Sequence, residues 1–151
     1  MEKNTKVKTY NPRQLIVTVG NKAISGFAED SFLTIEEKGN GVVSKTGCDG
    51  EVARAVDPTK QYTINLTLLQ MSDSNSLLHK YYMRDKADGQ GVFPITIKSI
   101  TNDTIINTNA AWVVKEAVRT FGRETNNRQW TIETGESNIQ DDLGSWATTQ
   151  A

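Results

Sequence analysis

One histidine, one cysteine and a few adjacent carboxylates are the side chains of this 151-residue chain from which catalysis or metal binding would have to be built. A metal site around His79 needs further His, Cys or carboxylate ligands at helical or hairpin spacing, and none flanks it in sequence. The expectation for His79 is a helix surface. Cys48 sits among Gly47, Asp49 and Gly50. A nucleophilic cysteine needs a base and a group that orients the base. His79 is the sole candidate base, and a glycine-rich loop is too mobile to hold such a dyad. The carboxylate pairs are Glu29-Asp30, Glu36-Glu37 and Asp141-Asp142. Neighbours on a strand point to opposite faces, so Glu36 and Glu37 cannot share a proton as a catalytic dyad does. A single cysteine also excludes an internal disulfide framework and a cysteine-based zinc site.

Nucleotide and RNA chemistry fare no better. The glycine-rich stretch lacks the Gly-Lys-Ser/Thr ending of a phosphate loop and does not lead into a helix. Arginine and aromatic residues do not interleave on one strand, as they do in an RNA-binding sheet. Trp112, Trp130 and Trp146 read as core or interface residues. The sequence therefore assigns no catalytic residue, no metal ligand and no cofactor.

The elements that would position any site are strands. Tyr62, Ile64, Leu66 and Leu68 alternate with Thr63, Asn65 and Thr67, which places the two sets on opposite faces of one strand. Leu15, Val17 and Val19 repeat the pattern, and Gly20-Asn21 turns the chain into Lys22–Ser25 as a hairpin. Ser31–Glu37, Glu51–Val56, Phe93–Ile100, Thr104–Val118 and Arg128–Thr134 complete the strand set, rich in the Val, Ile, Thr and Trp that pleated surfaces favour. One helix runs from Ser74 to Lys86, capped by Ser72, Asp73 or Ser74, with Leu77, Leu78, Tyr81 and Tyr82 at i and i+4 spacing. Gly89-Gln90-Gly91 ends it. A β domain over 1–136 and an irregular tail over 137–151 follow, with Leu143 and Trp146 as docking residues in the tail.

Size and composition suit one domain with a lean core. Hydrophobic residues make up 36%. With glycine counted in and tyrosine out, the apolar share is about 40%, where about 45–50% is usual. The 17 basic and 18 acidic residues nearly cancel, giving a net charge of −1. A dedicated nucleic-acid-binding domain usually shows a basic excess. No window approaches the roughly 20 apolar residues of a membrane span. The polar start of the chain has no signal-peptide pattern, so the expectation is synthesis in a reducing cytoplasm.

Two features remain. Lys38–Gly50 reads as a long loop with four glycines, of the kind that is functional or disordered. The strands also carry Thr63, Asn65, Thr67, Thr96, Asn107 and Asn109 on one face, with little proline to blunt their edges. Long unblunted edges invite pairing with another chain, and closing a sheet into a ring removes them.

Three runs carry a resemblance: Gly26-Phe27-Ala28-Glu29-Asp30-Ser31-Phe32, then Thr46-Gly47-Cys48-Asp49-Gly50-Glu51-Val52-Ala53-Arg54, then Leu69-Gln70-Met71-Ser72-Asp73-Ser74-Asn75. Over roughly Tyr10 to Glu136 the chain resembles tail tube proteins of contractile-tailed bacteriophages. Gly-x-Asp-Gly-Glu-Val-x-Arg is the most specific piece. The resemblance implies a two-sheet β-sandwich with a flanking helix, whose inner sheets close into one barrel in a hexameric ring. It implies a non-enzymatic structural virion protein. Its partners would be its own copies in rings and stacked tubes, the tail sheath protein, the tape-measure protein, and baseplate and terminator proteins. DNA would pass through without specific binding, and no membrane would be bound.

Within that expectation, alternation puts Leu33, Ile35, Ile95, Ile97, Trp112 and Val114 in the core. The opposite faces, Thr34, Glu36, Thr96, Lys98, Asn107 and Asn109, are the candidates for the lumen. Lys38–Gly50 and its flank supply the inter-ring contact, through Gly39, Gly41, Lys45, Gly47, Asp49, Gly50, Glu51 and Arg54, and this loop is expected to order only on stacking. The Arg84-Asp85-Lys86 end of the helix is a possible sheath contact, with a solvated helix end as the plainer reading. The alternatives are a bacteriocin or type VI secretion tube, which shares the same part, and a monomeric ligand-binding β-barrel, which would need an apolar pocket.

Overall fold

A computed structural model describes residues 11–29, 31–99, 104–137 and 139. The expected docking residues Leu143 and Trp146 and most of the 137–151 tail lie outside the described residues, as do Asp30 and the Asp141-Asp142 pair.

The chain forms β1 (Leu15–Val19), β2 (Lys22–Ala23), β3 (Leu33–Glu37), β4 (Val42–Thr46), β5 (Val52–Val56), β6 (Tyr62–Leu69), α1 (Ser74–Asp88), β7 (Phe93–Ser99), β8 (Thr104–Lys115) and β9 (Asn127–Thr134). Seven strands make one antiparallel sheet in the order β2-β1-β7-β8-β9-β6-β3, and β4 pairs with β5 alone. The expected two-sheet sandwich is therefore corrected. Alternation reports which face of a strand is dry, not where the hydrogen-bonded ladder breaks, and here it runs unbroken through seven strands.

One core cluster nevertheless joins both flanks of that sheet. Val17 and Val19 of β1 and Ile64, Leu66 and Leu68 of β6 belong to it, and Leu33 and Ile35 of β3 pack against it. Strands lie about 4.8 Å apart, so a flat seven-stranded sheet would span about 29 Å. A single helix about 10 Å wide cannot cover that. The sheet must curl around its own core, with α1 filling the remaining side through Leu78 and the half-buried Leu77, Tyr81 and Tyr82. β2 and β3 stay unpaired with each other, so the curled sheet is open in the single chain.

The local signals acted largely as their chemistry dictates. Gly20 takes a left-handed φ of 62° in the β1–β2 turn. Gly89 (φ 74°) ends α1, its N–H donating to the Asp85 carbonyl at 3.0 Å. At the other end Ser72 Oγ accepts from the Ser74 N–H at 3.2 Å, while the Asp73 side chain makes no capping bond.

Two expectations fail. Lys38–Gly50 is not a loop: Val42–Thr46 is a strand, paired with β5 from Val42↔Val56 to Thr46↔Val52. Its glycines punctuate the hairpin rather than loosen it. Both faces of β4 are exposed, so its sequence carries no apolar–polar alternation to betray it, although its partner β5 lies within the strand expected at Glu51–Val56. Trp112 and Val114 are not core residues: Trp112 is half-buried and Val114 exposed, whereas Ala111 and Val113 are buried. The cause is a register slip. Ile95 pairs with Thr108 but Phe93 pairs with Ala111, so β8 carries one extra residue there. The side chains from Ala111 to Val113 therefore lie on the faces opposite to those alternation assigns, up to a further irregularity between Val113 and Lys115.

Candidate assembly surfaces

The face of the sheet turned away from the core is mostly a wall of small polar groups, with Ile16 opposite Lys98 and Trp112 opposite Glu133 as its large apolar members. Register lines them up across strands: Thr34 opposite Asn65 opposite Thr131, Glu36 opposite Thr63 opposite Glu133, and Thr18 opposite Thr96 opposite Asn107. Several of these pairs are bonded. Thr96 Oγ1 donates to Asn107 Oδ1 at 3.1 Å, and Thr131 Oγ1 donates to Asn65 Oδ1 at 3.0 Å. Lys38 Nζ meets Glu133 Oε2 at 3.0 Å, so one carboxylate on the wall is balanced in place.

All six residues expected opposite the core lie on that side. Thr34, Glu36, Lys98, Asn107 and Asn109 are exposed and Thr96 is half-buried. Alternation was enough to find them because Asn107 lies in the regular stretch of β8 between its irregularities, Asn109 borders that stretch, and the others lie on strands that carry no extra residue. It missed Thr18, Thr131 and Glu133, which the register adds to the same wall.

The second surface is the β4–β5 hairpin. It leaves the sheet where Glu37 pairs with Tyr62, which we call the lower end. Asp57 locks its base, accepting from the Asn40 N–H at 2.8 Å and the Thr59 N–H at 2.9 Å. These bonds, the Asn40 amide foremost, hold its carboxyl well below the ordinary value of 3.8, at about 2. Cross-strand partners share a face, so Val42, Val52 and Val56 flank Arg54 on one side and Val43, Lys45, Ala53 and Ala55 lie on the other. Cys48 and Asp49 occupy the tip between Gly47 and Gly50, and Asp49 Oδ1 accepts from the Glu51 N–H at 3.2 Å. Gly39 and Gly41 lie at the base, where the Gly41 carbonyl accepts from the Asp57 N–H. The structure thus gathers Gly39, Gly41, Lys45, Gly47, Asp49, Gly50, Glu51 and Arg54 into one projecting element.

The candidate chemical groups, His79 and Cys48, are placed on separate elements, and His79 is tied up. His79 is not a bare helix-surface side chain: its Nδ1 lies 2.7 Å from Glu116 Oε1, which also accepts from Arg119 Nη2 at 2.6 Å. The Arg119 hydrogen bond is the main reason that the Glu116 carboxyl titrates below its ordinary range. This contact spans α1 and the β8–β9 loop, so sequence spacing could not show it. Among the described residues, no group of three or more His, Cys, Asp or Glu is placed to hold a metal ion. No described helix is long and apolar enough to cross a membrane. At the end of α1, Arg84 lies over the Tyr81 ring and Asp85 Oδ1 accepts from the Gly91 N–H at 2.9 Å. Lys86 Nζ lies over the Tyr82 ring at 5.7 Å, so all three residues of the expected sheath contact have partners within the chain.

Comparison with known proteins agrees with an assembly part. The chain is 24% identical over 136 residues to a structural protein, ORF10, of Pseudomonas phage KPP10, covering 84% of this chain and 78% of the relative. Its fold matches a chain of the sheath/tube terminator of the extracellular contractile injection system PVC (TM-score 0.62, 14% identity, 90% of this chain and 99% of that one). It also matches a chain of the anti-feeding prophage tube-terminating cap (TM-score 0.60, 14% identity, 92% and 95%). A chain of the PVC sheath-tube complex in the extended state matches as well (TM-score 0.56, 14% identity, 87% and 91%). The family described as "Bacteriophage PhiTE tail tube protein" matches residues 15–144. The wall, the projecting hairpin and the open sheet are thus features of a phage structural protein, and the chain belongs to the PhiTE tail tube protein family.

Proposed function

We propose that the chain builds the inner tube of a contractile tail. Six copies close into a ring, rings stack, a sheath surrounds the tube, and the tape-measure protein and then DNA pass through the bore. The observation that carries this reading is the polar wall of the open seven-stranded sheet. A sheet that is dry on one side, largely polar on the other, and unpaired at β2 and β3 suits continuation into neighbours around a water-filled channel. Thr34, Glu36, Thr96, Lys98, Asn107 and Asn109 would line that bore. Their mixed, weakly charged character suits a conduit, because a continuous Lys/Arg stripe would hold DNA through phosphate contacts. The β4–β5 hairpin supplies the contact between rings.

A second reading is supported by the fold matches to a cap and a terminator: a single ring that ends a tube. Membership of a tail tube family favours the stacking part. Negative-stain microscopy of the purified protein over a range of concentrations tests both. Stacked tubes are expected. Single rings at every concentration would move the assignment to a terminator, and a monomer at every concentration would refute both readings.

A further inference from the structure

Among the exposed apolar side chains, which also include Met83, Val92 and Val114, the most exposed fall in two groups at opposite ends of the sheet. The valine face of the hairpin, with Val42 53%, Val52 58% and Val56 66% exposed, hangs from the lower end. The upper end is where Leu69 pairs with Asn127. There Met71 is 80% exposed, and Val118 and Phe121 are each 73% exposed. Asn126 holds this upper patch together. Its N–H donates to Gln70 Oε1 at 2.9 Å and its Nδ2 donates to the Thr120 carbonyl at 3.2 Å. One residue therefore ties the turn carrying Met71 to the loop carrying Phe121.

Two unlike patches at opposite ends can pair either in an antiparallel two-fold dimer or head to tail. In the stacked rings proposed above every copy points the same way along the tube, which leaves the head-to-tail pairing, and such contacts propagate as a filament. Charge agrees with this pairing. Arg54 stands in the middle of the valine face, and Glu124 is exposed in the upper loop. Arg123 is exposed beside it and is opposite in sign to Asp49 and Glu51 at the hairpin tip, while Arg119 is occupied by Glu116.

We infer that Met71, Val118 and Phe121 form the seat that receives the β4–β5 hairpin of the next copy along the tube, with Glu124 pairing Arg54. This rests on the stacking proposed above and adds the identity of the receiving surface.

Cys48 at the hairpin tip, the chain's single cysteine, makes the pairing testable. A second cysteine is introduced singly at the seat, as Val118→Cys, Phe121→Cys or Arg123→Cys. The assembled material is imaged, oxidised and run on a non-reducing gel. A head-to-tail contact gives each chain two different neighbours, so a ladder of trimers and longer species is expected from at least one position. The ladder should collapse under reductant and be lost with Cys48→Ser. Bridges between like ends stop at dimers. Tubes visible in the microscope but only monomers or dimers at all three positions would overturn the seat and leave the tube reading standing. Absence of tubes from the unmodified protein would overturn both. As a second readout, Arg54→Glu should leave single rings and Glu124→Arg should restore stacking to it; unchanged tubes with Arg54→Glu alone would contradict the pairing.

Discussion

The indole Nε1 of Trp130 donates to Asn75 Oδ1 at 2.9 Å in the buried interior, joining β9 to the first turn of α1. Asn75 is fully used: its Nδ2 donates to the carbonyls of Leu69 at 3.0 Å and Gln70 at 3.2 Å. A single side chain thus fixes where β6 ends, where α1 begins and how α1 sits on the sheet. A buried donor left without a partner costs about 1–3 kcal/mol.

Asn75→Ala should therefore destabilise the fold by about 1–3 kcal/mol, since it orphans the buried indole N–H and strips a bond from the Gln70 carbonyl, while the Leu69 carbonyl keeps the Ser72 N–H. Trp130→Phe should also destabilise, and the double variant should cost less than the two singles added, because they share one bond. Urea unfolding followed by circular dichroism measures all three. An unchanged midpoint for Asn75→Ala would show that the contact does not hold α1.

The hairpin base has its own pH dependence. The Asp57 carboxyl is depressed from 3.8 to about 2, chiefly by the Asn40 amide. A depressed carboxylate contributes stability that is full above its unfolded value and lost as pH falls through the folded value. Amide exchange at Asn40 and Thr59 should therefore stay protected down to pH 3.8 and lose that protection toward pH 2, relative to other strand amides. Asp57→Ala should lose the same protection at neutral pH. Equal protection in the variant at pH 7 would remove Asp57 from this role.

The slip in β8 predicts opposite outcomes for one substitution at adjacent sites. Val113 is buried and Val114 exposed. Val113→Thr places a hydroxyl in the core and should cost about 1–3 kcal/mol. Val114→Thr should stay within about 0.5 kcal/mol of the parent, as surface changes usually do. Similar losses at both positions would mean that the slip is misplaced.

The weakly charged wall also predicts what would spoil it. Asn107→Lys with Asn109→Lys adds two exposed cations per copy on that face. Tubes of this variant should retain short duplex DNA in co-sedimentation at low salt and release it steeply between about 50 and about 200 mM salt, as counterion release requires. Parent tubes should retain little at either salt. DNA retention by the parent equal to the variant's would count against a non-gripping bore.

Much of the fold was legible because its strands are half-buried. Tyr62–Leu69 and Phe93–Ser99 alternate, and their dry faces are the ones alternation names. What was illegible had no local signature. β4 is wet on both sides, so its pattern is flat and reads as loop, whereas the valines of its partner β5 mark a strand at Glu51–Val56. The β8 slip between Thr108 and Ala111 leaves no mark on composition, yet it reverses Trp112 and Val114. The His79–Glu116 contact joins residues 37 positions apart through the tertiary fold. The polar wall was found by spacing, but its width emerges only when register adds Thr18, Thr131 and Glu133.

A cryo-electron microscopy reconstruction of the assembled protein tests the central claim most directly. The account predicts stacked rings whose bore is lined by Thr34, Glu36, Thr96, Lys98, Asn107 and Asn109, with the hairpin of each copy reaching the next ring. Rings in which this face packs against a neighbouring subunit or points to the outer surface, away from the channel, would contradict it.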